Sequence, residues 1–162
     1  LTLKVAFAAY KAEDKELFGI ASNRFLKLIL LQDELLATRK EFRVGNWTEI
    51  ARKIGNTPEE KNLYEWNARV QITTWGNREV ADKGRLHDYA HKEWSGILKD
   101  FYYQRWKMYF EGLKASLDGR TLPVIDWYAV EEPWTRISDT YSARPEGDCV
   151  EVAKRIYSEI FE

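Results

Sequence analysis

The chain has 162 residues, 25 basic and 26 acidic, for a net charge of −1; 44% are hydrophobic and 31% charged. The length suits one domain, since domains cluster near ~100–150 residues, and the apolar share suffices for a core. The near-neutral balance, without a basic stripe, excludes the electrostatic footprint of nucleic-acid binding, and the single cysteine, Cys149, excludes an internal disulfide or a multi-cysteine zinc site.

No stretch approaches the ~20 apolar residues of a membrane span. The longest apolar cluster, Leu26 to Leu31, is interrupted by Lys27 and followed by Gln32 and Asp33. The chain begins at Leu1 without a methionine or a basic-then-apolar leader, and so reads as an excised fragment that says nothing about the parent's compartment. Its aromatics (Trp 7, Tyr 9, Phe 7) suit a helical core or a face that stacks on a ligand.

In chain order, Leu3 to Tyr10 reads as a short helix or the tail of a preceding one. From Lys15 to Arg39 apolar residues recur at helical steps and predict a long helix with a broad buried face. Gly45 and Asn46 mark a break, Asn46 is a candidate N-cap for a short helix from Trp47 to Ile54, and Gly55 ends it. Thr57-Pro58-Glu59-Glu60 is a helix start in which threonine caps, proline takes the first helical position and Glu60 closes a capping box. That helix is expected to run to about Thr74. Trp75 through Gly84 reads as a loop, and Leu86 to Leu117 as a second long helix, bent near Ser95-Gly96 and closed by Gly119. Leu122 to Val130 reads as a connector, Glu131 to Asp139 as a helix with Pro133 in its first turn, and Asp148 as the cap of a last helix from Cys149 to Phe161. The expected architecture is all-α, a bundle of about six helices.

His87-Asp88-Tyr89-Ala90-His91 places two histidines four apart, the spacing of helical zinc proteases, with Glu111 as an imaginable third ligand. Asp88 is a methylene shorter than the glutamate such a site uses, and Glu111 would lie roughly 36 Å along the axis at ~1.5 Å per residue. Two half-exposed surface histidines are therefore the favoured reading. The acid pairs Glu59/Glu60, Glu131/Glu132 and Asp14/Glu16 point away from each other on a helix and read as solvated surface rather than a glycosidase pair. Cys149, beside Asp148, reads as a small helix residue rather than a nucleophile. Trp75-Gly76, at a helix end, can present a ring to a cleft, but on the residues alone a tryptophan packed between helices is the favoured reading.

The run Tyr64-Glu65-Trp66-Asn67-Ala68-Arg69-Val70-Gln71-Ile72-Thr73-Thr74-Trp75-Gly76 resembles the C-terminal domain of the α-N-acetylglucosaminidases, glycoside hydrolase family 89. Leu86, Asp88, Tyr89, Ala90, Gly96, Tyr103 or its neighbour Tyr102, Arg105 and Trp106 are similar to the elements that follow in that family, as are Pro145-Glu146-Gly147-Asp148 and the last helix. Upstream, Phe42, Gly45, Trp47 and Ala51 are similar too. The resemblance covers nearly the whole chain, residues 42 to 112 most closely.

The resemblance implies the helical C-terminal domain, residues 1–162, of a retaining exo-glycosidase that removes terminal α-linked N-acetylglucosamine. The two catalytic glutamates would lie in an (α/β)8 barrel outside this chain, so no catalytic residue is expected here, and no metal or cofactor. The implied partners are the catalytic barrel of the same polypeptide and a glycan ending in α-N-acetylglucosamine. The parent is expected to be secreted, periplasmic or lysosomal, the animal member acting on heparan sulfate in lysosomes. The substrate-binding candidates are Trp75, as a wall of the sugar pocket, and Arg69, as the anchor of a buried carboxylate or the holder of the Trp75 loop. Arg105-Trp106 is assigned to helix packing, and the histidine pair departs from the family pattern. The alternative is a free-standing helical module that binds a glycan or a protein.

Overall fold

A computed structural model describes residues 1–84 and 86–161. Among them are eight α-helices: α1 (Thr2–Lys11), α2 (Lys15–Ala37), α3 (Val44–Arg52), α4 (Pro58–Gln71), α5 (Arg78–Gly84), α6 (Tyr103–Leu117), α7 (Trp127–Arg136) and α8 (Cys149–Phe161). A 3₁₀ turn covers Lys40–Phe42 and a π-helical turn Leu98–Tyr102. The fold is all-α as the periodicity predicts, and an isolated bridge between Arg43 and Ser95 is its β-like pairing.

The strongest sequence signals are local hydrogen bonds. The Glu60 N–H donates to Thr57 Oγ1 at 3.2 Å and Glu60 returns a carboxylate oxygen to the Thr57 N–H, closing the predicted capping box with Pro58 at the first helical position. Asp148 Oδ1 accepts from the N–H groups of Val150 and Glu151 and starts α8 as expected. Asp14 starts α2 by accepting from the Leu17 N–H. Between α1 and α2, Glu13 takes φ +56° and the Asp14 N–H reaches the Ala9 carbonyl at 3.0 Å, a tight reversal that folds α1 back on α2.

Four expectations are corrected. First, α3 starts at Val44 with Arg43 outside it, so Asn46 is not its cap. Gly45 lies inside the helix, and its missing side chain admits the Ser142 carbonyl oxygen, which would stand 2.2 Å from a Cβ there. Second, α4 ends at Gln71, and Arg78–Gly84 is helical where a loop is expected. Third, the helix expected from Leu86 begins only past Gly96: Asp88 (φ +61°) and Gly96 (φ +93°) leave helical geometry, and the Asp88 N–H is spent on the Thr73 carbonyl at 2.9 Å. Fourth, α7 begins at Trp127, capped by Asp126 on the Ala129 N–H, so Pro133 sits in its interior. Pro133 withholds an N–H from the Ala129 carbonyl, and Ala129 is exposed, where water can serve it.

The apolar residues form two clusters. Ala6, Ala9, Phe18, Ala21, Leu26, Ile29, Phe110 and Leu113 join α1, α2 and α6. Val44, Ile72, Ile97, Phe101 and Trp134 join α3, the end of α4 and α7. The π-helical turn serves both, Leu98 facing the first cluster and Ile97 and Phe101 the second. Asp33 on α2 fixes that turn: its Oδ1 accepts from the N–H groups of Gly96 (2.6 Å) and Lys99 (3.1 Å), and its Oδ2 from Ser95 Oγ (3.2 Å). Burial pushes the Asp33 pKa up, and these hydrogen bonds hold it back only in part.

Candidate functional site

Arg69 and Trp75, the residues singled out from sequence, sit at the same end of α4 in different surroundings. Arg69 has no exposed surface. Its Nε and Nη2 both donate to Glu65 Oε1, at 3.0 and 2.6 Å, and Nη2 also reaches Thr140 Oγ1 at 3.1 Å. Its guanidinium lies 4.7 Å from the Trp134 ring centre and 5.0 Å from that of Tyr141. The other Glu65 oxygen accepts from Arg52 Nη1 and the Asp139 N–H, each at 2.9 Å. Arg69 thus anchors a buried carboxylate, and no surface of it is left to touch a ligand.

Trp75 follows the helix end with φ +63°, its N–H on the Val70 carbonyl at 2.8 Å. Its ring is half-buried and meets the Tyr89 ring edge-on, with centres 5.1 Å apart. Tyr89 is 70% exposed. Gly76 lets the chain turn tightly over α5: a Cβ there would stand 2.9 Å from the Val80 side chain.

Behind this aromatic pair is a charged network that sequence reasoning missed. Arg105 on α6 forks onto Asp88 (Nη1 to Oδ2 at 2.5 Å, Nη2 to Oδ1 at 3.0 Å), and its Nε donates to Glu131 Oε1 at 2.5 Å. The second Glu131 oxygen accepts from His87 Nε2 at 2.5 Å. Glu131, read from sequence as solvated, is 3% exposed and is shared between Arg105 and His87. Burial lowers the Arg105 pKa, but the hydrogen bonds and charges of Asp88 and Glu131 together outweigh it and raise the net value, so the guanidinium stays charged. The hydrogen bond to Glu131 raises the His87 pKa against an opposing effect of burial. Trp106, by contrast, does serve helix packing, with its ring 5.0 Å from Phe25.

Asp88 and Arg105 stand between two cavities. One, about 500 Å³, is polar and lined by His87, Glu131, Asp82, Asp126, Trp127 and Tyr128 among others. The second, about 570 Å³, has an apolar floor of Leu3, Phe25, Leu28 and Trp106 under a rim with Gln32, His91 and Glu93. His87 and His91 do not share a helix face: His87 turns inward to Glu131, and His91 is exposed. Glu111 is exposed on α6. Among the described residues, no group of three His, Cys, Asp or Glu side chains is arranged to hold a metal, and no helix is long and apolar enough to cross a membrane. The acid pairs Glu59/Glu60 and Asp14/Glu16 stay at the surface.

Comparison with known proteins gives this arrangement a setting. The family model described as Alpha-N-acetylglucosaminidase (NAGLU) C-terminal domain matches residues 1–159. Human alpha-N-acetylglucosaminidase is 31% identical over an alignment of 137 positions that covers 81% of this chain and 18% of that protein. A family 89 glycoside hydrolase from Clostridium perfringens, with two glutamates replaced by glutamine and in complex with its substrate GlcNAc-alpha-1,4-galactose, matches with a TM-score of 0.89 at 42% identity, over 98% of this chain and 19% of that one. The complex of a Clostridium perfringens family 89 hydrolase with PUGNAc matches with the same figures. The chain spans less than a fifth of the length of these relatives. A match over nearly every residue, by sequence and by fold, means that the chain belongs to the α-N-acetylglucosaminidase C-terminal domain family of glycoside hydrolase family 89.

Proposed function

We propose that this chain is the accessory helical domain of a retaining exo-α-N-acetylglucosaminidase, and that it packs on a catalytic barrel and walls the sugar cleft. The reading rests above all on the match, at 42% identity and TM-score 0.89, to part of a hydrolase solved with an α-linked N-acetylglucosamine substrate. In such an enzyme two carboxyl groups about 5–5.5 Å apart act as acid/base and nucleophile. Among the described residues the buried acids are committed elsewhere: Glu65 to Arg52 and Arg69, Glu131 to His87 and Arg105, and Asp33 to the π-helical turn. The barrel would supply both catalytic carboxylates, and no cofactor is needed.

In this reading Trp75 is the wall of the sugar pocket. A half-buried ring at a helix end, with one edge against another aromatic, offers an apolar platform to a pyranose face. Arg69, six residues earlier in the chain, locks the end of α4 to α7 through Trp134 and to Thr140, so that the loop carrying Trp75 departs from a fixed base.

The test compares the parent polypeptide with the isolated chain in hydrolysis of an aryl α-N-acetylglucosaminide. The parent is expected to be active and the isolated chain inert. A folded parent inactive on every α-N-acetylglucosaminide would overturn the proposal and favour a module that binds a glycan or a protein.

A further inference from the structure

We infer that Tyr89 is a second substrate-facing ring of the sugar wall and that Arg105, through its fork on Asp88, is the positioning residue that sets it. The inference rests on the cleft-wall reading of Trp75 and goes beyond it by adding a ring and the device that aims it.

Tyr89 is 70% exposed, so burial in the core does not place its ring. Two contacts do. The first is the edge of Trp75. The second is the backbone of Asp88, which stands at φ +61°, in the left-handed region that L-residues rarely adopt and that aspartate and asparagine enter at the least cost. Trp75 stands at φ +63°. Two non-glycine residues in this region, with aromatic rings in contact beside them, are strain of the kind that persists only where surrounding structure imposes it.

That surrounding structure is visible. The Asp88 N–H is tied to the Thr73 carbonyl just before Trp75, so the two segments that carry the rings are fastened to each other. The Asp88 carboxylate is held by both Nη groups of Arg105. Arg105 in turn is fixed by Glu131 and lies 5.0 Å from the ring centres of Phe101 and Tyr102. The path from the interior to the wall therefore runs Glu131, Arg105, Asp88, Tyr89, Trp75. A planar two-pronged grip fixes the direction of a carboxylate, which a lysine's point charge does not.

The test is kinetic, on the parent enzyme with an aryl α-N-acetylglucosaminide. Tyr89→Ala is expected to raise KM about fivefold with kcat within about twofold, the pattern of lost binding shared by ground and transition states. Arg105→Lys is expected to raise KM similarly, and to add nothing to KM when combined with Tyr89→Ala, because it acts through that ring. If Arg105→Lys leaves no folded enzyme, Asp88→Asn replaces it: asparagine tolerates the left-handed backbone, and only the charge-paired grip is weakened. Its smaller rise in KM is likewise expected to vanish in the Tyr89→Ala background. If neither Tyr89→Ala nor Trp75→Ala changes KM, the cleft-wall reading itself fails. If Trp75→Ala raises KM and Tyr89→Ala does not, or if the Arg105 or Asp88 effect is absent or adds in full to that of Tyr89→Ala, this inference fails and the cleft-wall reading stands.

Discussion

Glu65 and Arg69 meet one helical turn apart on α4, with Nη2 to Oε1 at 2.6 Å, and both side chains are sealed from solvent. A pair at this spacing on an exposed helix face is worth only ~0.2–0.5 kcal/mol. Here it also gathers Arg52, the Asp139 N–H and Thr140, and so joins α3, α4 and the segment after α7. Arg69→Met would leave Glu65 with only Arg52 and the Asp139 N–H, both on its other oxygen, and is expected to cost about 3–5 kcal/mol, the usual penalty for breaking a buried ion pair. Urea unfolding should show the midpoint fall accordingly. Adding Glu65→Leu to Arg69→Met should cost less than the two single losses summed, since the stranded charge is gone; additive losses would count against the pairing.

The glycines of α2 and α3 should respond in opposite directions. At Gly19 nothing lies within 4 Å of where a Cβ would stand, so Gly19→Ala is expected to stabilise the chain by about 0.5–1 kcal/mol through helix propensity. At Gly45 a Cβ would meet the carbonyl oxygens of Ser142 and Tyr141, at 2.2 and 2.8 Å. Gly45→Ala must push that backbone away and is expected to destabilise by about 1–3 kcal/mol or more. Thermal midpoints of the two variants, moving apart from the parent value, would check the close approach of α3 to the segment after α7.

The fold was legible where its hydrogen bonds close locally. Helix starts whose bonds close within a turn, at Thr57 and Asp148, are visible as residue types at fixed offsets. The long α2 is visible because its buried residues repeat with helical period. The segment after Gly84 misleads because its residues suit a helix, while what removes it from one is distant: the Asp88 N–H bonds Thr73, and Asp33 captures the Gly96 N–H. Glu131 misleads likewise, for its partners Arg105 and His87 lie 26 and 44 positions away. α5 is short and buries only Ala81, too little for a periodic signal. Of the candidate site, Trp75 was visible as a Trp-Gly pair at a helix end, its wall role and Arg69 came from family likeness, and the charged network behind Tyr89 required the tertiary structure.

Asp33 should tolerate loss of its charge but not of its shape. Its Oδ1 accepts from Gly96 and Lys99, and burial disfavours the ionised form. Asp33→Asn keeps an acceptor for both N–H groups, and its amide can donate to Ser95 Oγ, so stability is expected to change by less than about 1 kcal/mol. Asp33→Ala strands two buried donors and Ser95, and is expected to cost about 2–4 kcal/mol. The sign in pH follows from the raised folded-state pKa: ionising Asp33 costs more in the fold than in the unfolded chain, so an Asp33→Asn variant should gain on the parent as pH rises through that value. A thermal-midpoint difference that is flat across the acid range would contradict it.

His87 gives the second pH dependence, with the sign of a paired cation. Its ring donates to Glu131, with Asp88 and Arg105 close by and Asp82 and Asp126 lining the same cavity. The hydrogen bond to Glu131 raises its pKa in the fold above the ordinary 6.5. The protonated form therefore adds stability that is fully present below about 6.5 and is lost as pH rises through the raised value. A His87→Gln variant keeps a donor but cannot take up the proton. The thermal-midpoint gap between parent and variant should be widest in acid and close as the imidazole loses its charge, with background titration of the other groups cancelling in the difference. Arg105 stays charged throughout and keeps its grip on Asp88, so the Trp75–Tyr89 contact should survive that change, and fluorescence of the Trp75 environment should stay constant while stability falls. A gap that widened toward alkaline pH would mean that His87 is neutral in the fold and that its contact with Glu131 is an ordinary neutral hydrogen bond.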